Sequence, residues 1–231
     1  MPSKPSFVFK RTEKKYLLNK TQYDRIRESL SPYMQEDDYG LSLISNIYFD
    51  TENFDLIRIS TEKPIFKEKL RLRSYGVPKD SDTVFLEIKR KYDGTVYKRR
   101  IALSYKEAYD FIYNGIHPNN DSQIMREIDY FMNFHKPSPK VYLSYNRIAL
   151  YGTENKDIRI TFDSDIISRN YDLCLKKGSY GERLINENSY LMEIKIAGAM
   201  PLWLVEILNQ NKIYPNSFSK YGTVFKLKRH K

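Results

Sequence analysis

Lys69-Leu70-Arg71-Leu72-Arg73-Ser74-Tyr75 and, a few residues on, Leu86-Glu87-Ile88-Lys89-Arg90-Lys91 alternate charged and apolar side chains with a period of two. A β-strand sends successive side chains to opposite faces. Lys69, Arg71 and Arg73 therefore crowd one face of the first strand, Glu87, Lys89 and Lys91 one face of the second, and Leu70, Leu72, Leu86 and Ile88 fill the other side. The same spacing recurs at Arg11/Glu13/Lys15, Arg159/Asp163 and Glu193/Lys195, with Ile158, Ile160, Phe162, Met192, Ile194 and Ile196 at the opposite parity. One such strand ordinarily turns its charges to water. Five of them, carrying Arg, Lys and Glu where Ser, Thr, Gln and Asn would serve a solvent face equally well, point to a sheet whose charged face is specialised. Closed into a barrel, that face lines a lumen with many cations and a few carboxylates, an environment suited to a long phosphate chain with a divalent metal.

Outward from these strands, the pattern predicts a strand over 6–17, a helix over 20–30 stopped by Pro32, and a strand over 44–50. A short helix over 52–59 follows, with Thr51 as its cap. Strands over 66–75 and 83–91 lead through an Asp93-Gly94 turn into a third over 95–103. Ser104 and Glu107 form a capping box for a helix reaching about Asn114. Ile124, Ile128, Phe131 and Met132 recur at helical spacing over 122–134, and the His135-Lys-Pro-Ser-Pro segment ends that helix. Strands are expected over 140–151, 157–163 and 189–196, with 170–188 as a loop or short helix between the last two. Pro201 suits the first turn of a helix running to about Asn211. Ser217 or Ser219 opens a final short helix that ends in the basic tail 226–231. Eight or nine mostly antiparallel strands suffice to close a barrel without exposed edges, with the helices outside it. No repeat or linker divides the chain, so 1–231 reads as one α+β domain.

Composition narrows the chemistry. A chain of 231 residues with formal net charge +10 expects an anionic partner, and its 20 Tyr and 12 Phe suit strands and helix-to-sheet packing. Cys174 stands alone, which excludes an internal disulfide and fits a reducing compartment. His117, His135 and His230 are too scattered for a zinc site of ordinary spacing. There is no G-x-x-x-x-G-K, G-x-G-x-x-G or G-x-S-x-G stretch. Neither a signal-peptide core nor a run of roughly 20 apolar residues occurs, so a cytoplasmic protein is expected.

In order along the chain, F-x-x-x-E-x-K-Y at 9–16, Y-F-D at 48–50, K-L-R-L-R-S-Y at 69–75 and E-I-K-R-K at 87–91 are followed by V-Y-K-R-R at 96–100 and Y-N-R at 145–147. R-I-T-F-D at 159–163, M-E-I-K at 192–195 and S-K-Y at 219–221 complete the set. The ensemble resembles the polyphosphate polymerase domain of the vacuolar transporter chaperone (VTC) family, which belongs to the triphosphate tunnel metalloenzymes. The resemblance implies a closed antiparallel tunnel, dependence on Mn2+ or Mg2+, and transfer of the terminal phosphoryl group of ATP onto inorganic polyphosphate.

Position by position, the resemblance makes Arg71, Arg73, Lys89, Lys98, Arg147, Arg159, Lys195 and Lys220 the phosphate-binding cations, with Lys15 beside them and Tyr145 and Ser219 as hydroxyl donors. Of these, Arg71, Arg73 and Lys89 are expected at the reaction centre with Glu193. Glu193 is the implied metal ligand, and Glu13 and Glu87 are supporting carboxylates. Where the hydrolytic tunnel enzymes carry E-x-E-x-K, this chain reads Arg11-Thr12-Glu13-Lys14-Lys15, and fewer acids with more bases favour a polymerase over a triphosphate hydrolase. The chain also lacks the sensing domain and membrane segment fused to eukaryotic relatives, so a membrane partner is expected in trans, if there is one. Two alternatives follow the same residues: a tripolyphosphatase or nucleoside triphosphatase on the same fold, and a non-catalytic polyanion binder. Nucleic acid is not the expected ligand, because carboxylates in register with the cations repel a phosphate backbone unless a metal bridges them.

Overall fold

In a computed structural model of the chain, residues 11–62 and 64–229 are described. The start of the strand expected over 6–17 and the end of the basic tail lie outside them. The described residues form an α+β fold with ten strands and six α-helices. In chain order these are β1 (Arg11–Leu18), α1 (Lys20–Leu30), β2 (Met34–Glu36), β3 (Ser42–Asp50), α2 (Asp55–Thr61), β4 (Phe66–Tyr75), β5 (Thr83–Tyr92), β6 (Thr95–Ser104) and α3 (Tyr105–Tyr109). A π-helical turn over Asp110–Asn114 extends α3, and then come α4 (Gln123–His135), β7 (Ser138–Gly152), β8 (Arg159–Arg169), β9 (Glu182–Arg183), β10 (Tyr190–Ala197), α5 (Leu202–Gln210) and α6 (Lys220–Arg229).

Hydrogen-bonded neighbours follow the order β1-β10-β8-β7-β3-β4-β5-β6, with β2 added to β7 and β9 to β8. The expected antiparallel sheet is present, but its closure into a barrel is not. The order ends at β1 and β6, no pairing joins them among the described residues, and β6 is exposed from Thr95 to Arg100 as an edge strand is.

The chain divides into two compact units, each assembled from separate segments. The first takes Met1–Leu41, Arg147–Asp165 and Asn186–Phe218. Its β1 pairs with β10 along all eight residues, and β10 pairs with β8 from Leu191↔Asp163 to Lys195↔Arg159. Tyr16, Leu18, Ile160, Phe162, Met192 and Ile194 are buried beneath Ile26 and Leu30 of α1 and Leu204, Ile207 and Leu208 of α5. Asn19 starts α1 by accepting from Gln22 N while the Gln22 side chain accepts from Asn19 N, a capping box that satisfies two otherwise orphaned amides. Tyr23 of α1 stacks on Tyr190 with ring centroids 3.8 Å apart.

The second unit takes Ser42–Asn146, Ile166–Ile185 and Ser219–Lys231. Here β3, β4, β5 and β6 form a meander whose apolar face, Ile47, Phe49, Leu70, Leu72, Leu86, Ile88, Ile101 and Leu103, is covered by Met125, Ile128 and Phe131 of α4. Asp93 and Gly94 both take positive φ in the turn between β5 and β6, the backbone demanded by a two-residue hairpin. At the edge of this core Glu127 of α4 receives Arg90 at 2.8 Å and Arg99 at 2.5 Å, tying the helix to the hairpin.

Several expectations shift in detail. The helix expected from residue 52 begins at Asp55, because Phe54 adopts a left-handed φ of 58°, and the Thr51 hydroxyl accepts from Asp55 N. Pro201 sits just before α5 as its cap rather than inside its first turn. Strand β8 runs on to Arg169, and β2 and β9 have no counterpart in the sequence reading. The 170–188 stretch is organised by Arg169, which donates to the carbonyls of Asp172, Gly178 and Tyr180 and lies over the Tyr142 ring at 3.5 Å. No described helix is long and apolar enough to cross a membrane.

Candidate functional site

Each unit carries charged residues on the sheet face opposite its core. In the second unit, cross-strand register builds rows on that face: Asn46↔Arg73↔Phe85, Tyr48↔Arg71↔Glu87↔Arg100 and Lys69↔Lys89↔Lys98. Directly opposed side chains in such rows lie within reach of one another. Glu87, only 1% exposed, receives Arg71 Nε at 2.7 Å and Arg71 Nη2 at 2.6 Å on Oε2, with Lys98 Nζ at 2.9 Å from Oε1. Arg71 Nη1 also donates to the Tyr48 hydroxyl at 3.1 Å. Arg73, 6% exposed, donates from Nε to Asn46 Oδ1 at 2.9 Å and from Nη2 to the Tyr145 hydroxyl at 3.2 Å. Both guanidiniums are thus locked by partners that the strand register delivers.

This crowding of cations shifts the groups among them. Burial works to raise Glu87, but Arg71, Arg73 and Lys98 outweigh it and bring its carboxyl down to about 2. Burial likewise raises the Tyr48 phenol, and Arg71, Arg73 and Lys69 overcome it, leaving it lowered to about 8. Lys98 is lowered to about 8 by desolvation and by repulsion from Arg71 and Arg73, against the attraction of Glu87. For Arg71, burial is more than offset by Tyr48, Glu87 and Tyr145, and its guanidinium stays charged.

Helix α6 borders the same rows. Ser219 Oγ accepts from Gly222 N at 3.2 Å and so starts the helix. The next residue, Lys220, places Nζ 4.4 Å from the centroid of the Tyr145 ring. Tyr221 stacks on Tyr48 at 4.8 Å and donates to Asp50 Oδ2 at 2.8 Å. The buried Asp50 carboxylate also accepts from the backbone of Thr51, Leu56 and Ile57, so α2 and α6 share one anchor. Burial, and then Asp50, raises the Tyr221 phenol, which remains a donor.

In the first unit the corresponding face carries Glu13↔Lys195↔Arg159 and Lys15↔Glu193↔Thr161. Lys15 Nζ lies 3.3 Å from Glu13 Oε1 and 3.9 Å from Glu193 Oε2, while Lys195 pairs with Glu193 Oε1. Arg147 forks onto the buried Asp163 carboxylate through Nε at 2.6 Å and Nη2 at 2.8 Å. Arg159, 59% exposed, approaches Asp37 at 3.5 Å. Ammoniums and carboxylates here alternate, where the second unit sets several cations around one carboxylate.

The sequence of the VTC domain family matches residues 10–227. The chain belongs to the VTC domain family. As a fold, this VTC domain is similar to two solved structures in particular. With a candidate adenylate cyclase from Bacillus halodurans it shares 18% identity over 90% of this chain and 92% of the other, with a TM-score of 0.57. With a candidate adenylyl cyclase from Hippeastrum, described as having a dominant triphosphatase activity, it shares 17% identity over 90% and 92% of the two chains, with a TM-score of 0.54.

The residues expected from sequence therefore separate by unit. Arg71, Arg73, Glu87, Lys89, Lys98, Tyr145, Ser219 and Lys220 of the VTC domain lie in the second unit; Glu13, Lys15, Arg147, Arg159, Glu193 and Lys195 lie in the first. The sequence reading did not foresee Asn46 as a partner of Arg73, and it gave Tyr48 and Asp50 no role beyond the Y-F-D motif. Their signal was the same period of two: Asn46, Tyr48 and Asp50 alternate with Ile47 and Phe49 along β3. Tyr221 as the anchor of α6 had no comparable sign, since its partner lies 171 residues away.

Among the described residues no three His, Cys, Asp or Glu side chains gather as a ready-made metal cage. A hard divalent cation on phosphate needs less, commonly one or two carboxylates completed by water and phosphate oxygens. Glu193 and Glu13, which flank the Lys15 ammonium, fit that donor set. Glu87 instead spends its oxygens on Arg71 and Lys98.

Proposed function

We propose that this VTC domain synthesises inorganic polyphosphate, transferring the terminal phosphoryl group of ATP onto a growing chain with Mn2+ or Mg2+. The observation that carries the proposal is the pair of locked guanidiniums, Arg71 and Arg73, on one strand face. Phosphoryl transfer passes through a loose transition state with charge spread over the equatorial oxygens, and catalysis is largely positioning and charge neutralisation. Arginines already held by Glu87, Tyr48, Asn46 and Tyr145 supply fixed donors for that charge at no cost of reorganisation. Lys89 and Lys98, in the next row, serve as point charges for further phosphates.

In the first unit, Lys15, Arg147, Arg159 and Lys195 bind the anion, and Glu193 with Glu13 holds the metal, which when bound neutralises phosphate oxygens. The order Arg11-Thr12-Glu13 leaves one acid at the N-terminal strand, supporting retention of an anionic product over its hydrolysis. A single domain over 1–231, work in the cytoplasm and hand-over of product to a membrane partner in trans are parts of this proposal.

Purified protein incubated with ATP and manganese, its products resolved on a gel, provides the test. A ladder of polyphosphate that lengthens with time is the expected result. Phosphate release without a ladder identifies a triphosphatase, and binding without turnover a polyanion receptor.

A further inference from the structure

Thr161 has a hydroxyl that no described residue uses. It lies on β8, is 4% exposed, and its Oγ1 has no hydrogen-bond partner among the described residues. Two other buried strand hydroxyls are paired: Ser45 with the Tyr142 hydroxyl at 2.9 Å and Ser144 with Ser179 at 2.8 Å. Burying an unpaired hydroxyl is costly, and Val would fill the same volume on a β-strand without that cost. Packing therefore does not account for threonine at this position.

Its surroundings do. By register Thr161 stands directly opposite Glu193 and in one row with Lys15, and on its own strand it shares a face with Arg159 and Asp163. The nearest anionic neighbour is already engaged, since Glu193 takes Lys195 on one carboxylate oxygen and Lys15 approaches the other. Asp163 is held by Arg147. We propose that Thr161 donates its hydroxyl hydrogen to a phosphoryl oxygen of the condensed phosphate bound over this row. A neutral, fixed donor in the Lys15 row, next to the row of Lys195 and Arg159, adds direction without adding charge, which is what a ligand rich in acceptors can use. This role rests on the reading of the face as a polyphosphate site and assigns within it a contact that charge alone does not reveal.

The test compares Thr161→Val, which removes the hydroxyl at constant shape, with Thr161→Ser, which keeps it. Inorganic tripolyphosphate is the probe, with and without Mg2+, and both the dissociation constant and the thermal midpoint are measured. Thr161→Val should melt no lower than wild type without ligand, because the orphaned donor is gone. Its affinity should fall about tenfold, the effect of one charge-assisted hydrogen bond. Thr161→Ser should recover most of that loss. Equal affinity of Thr161→Val and wild type overturns the assignment, as does an equal loss in Thr161→Ser, which would show that the methyl group matters and the hydroxyl does not. A lower melting point of free Thr161→Val would also overturn it, by showing that the hydroxyl has a protein partner. Failure of the wild type to bind tripolyphosphate overturns the polyphosphate reading itself, and this assignment with it.

Discussion

The charged faces of the two units solve the same electrostatic problem in different ways. In the second unit three cations, Arg71, Arg73 and Lys98, surround one nearly inaccessible carboxylate, and the guanidiniums are pinned by hydrogen bonds from three strands. In the first unit Lys15 and Lys195 alternate with Glu13 and Glu193, joined by ion pairs from ammonium groups, with Lys15 3.3 Å from Glu13 and 3.9 Å from Glu193 and Lys195 paired closely with Glu193. Arginine presents a rigid planar fork, whereas lysine is a mobile point charge that can exchange partners. The second face is therefore pre-organised for an anion of fixed orientation. Under the proposed function, Glu13 and Glu193 of the first would hold the metal while Lys15 and Lys195 bind phosphate.

The largest effect expected from this contrast lies at the arginines. Outright removal of Arg71 leaves buried Glu87 undercompensated, a loss on the order of 3–5 kcal/mol in stability, so Arg71→Lys and Arg73→Lys are the cleaner variants. Each should lower turnover at saturating ATP by about a thousandfold while preserving the melting temperature, since the charge remains and the fork does not. Lys220→Ala, by contrast, should weaken tripolyphosphate affinity about tenfold with little change in turnover. Uniform losses confined to the Michaelis constant would reduce the arginine face to a nonspecific sleeve of charge.

Glu193→Gln probes the other face. Metal affinity should drop by about ten- to a hundredfold, by analogy with loss of a ligand's supporting group, and activity with it. Metal-free tripolyphosphate binding should hold or tighten, because Lys15 and Lys195 lose a competing anion. Calorimetry with and without manganese separates the two quantities, and unchanged metal dependence would remove Glu193 from the metal site.

The smallest effect is the one set by pH. Lys98 and Tyr48 both titrate near 8, the first losing a positive charge and the second gaining a negative one as pH rises. Both changes weaken the attraction for an anion, so affinity should fall about three- to tenfold from about pH 7 to about pH 9, discounted for the exposure of Lys98. The combined Lys98→Arg and Tyr48→Phe variant should be flatter over that range than wild type. Parallel profiles would place the titrating groups elsewhere. At the acid end the sign reverses: Glu87 is lowered, so its stabilising contribution is complete above the ordinary carboxylate pKa of about 4.5 and disappears as pH falls toward 2.

Much of this was written locally. A period of two assigns side chains to faces without knowledge of partners, which is why Arg71 and Arg73, Glu87 and Lys89, and Glu193 and Lys195 could be grouped in advance. Helix ends with short-range signals were equally legible: α1 ends at Leu30, just before Pro32, Ser104 and Glu107 close a capping box, and Ser219 opens α6. The short strands β2 and β9 were not legible, because three and two residues carry too little pattern to distinguish a strand from a loop.

The sequence by itself determined that the chain would form antiparallel strands with one apolar and one charged face, and which charges belong to that face, because alternation is a property of each strand alone. Register and long-range partnership were decided only in three dimensions. That Arg71 meets Glu87 and Tyr48, that Arg73 meets Asn46 and Tyr145, that Tyr221 reaches Asp50, and that Thr161 is left opposite Glu193 without a partner all depend on how segments far apart in the chain align. A slip of one residue in any strand would preserve its alternation and send its side chains to the other face. Burial of the apolar face selects the register, and the register in turn decides which charges touch.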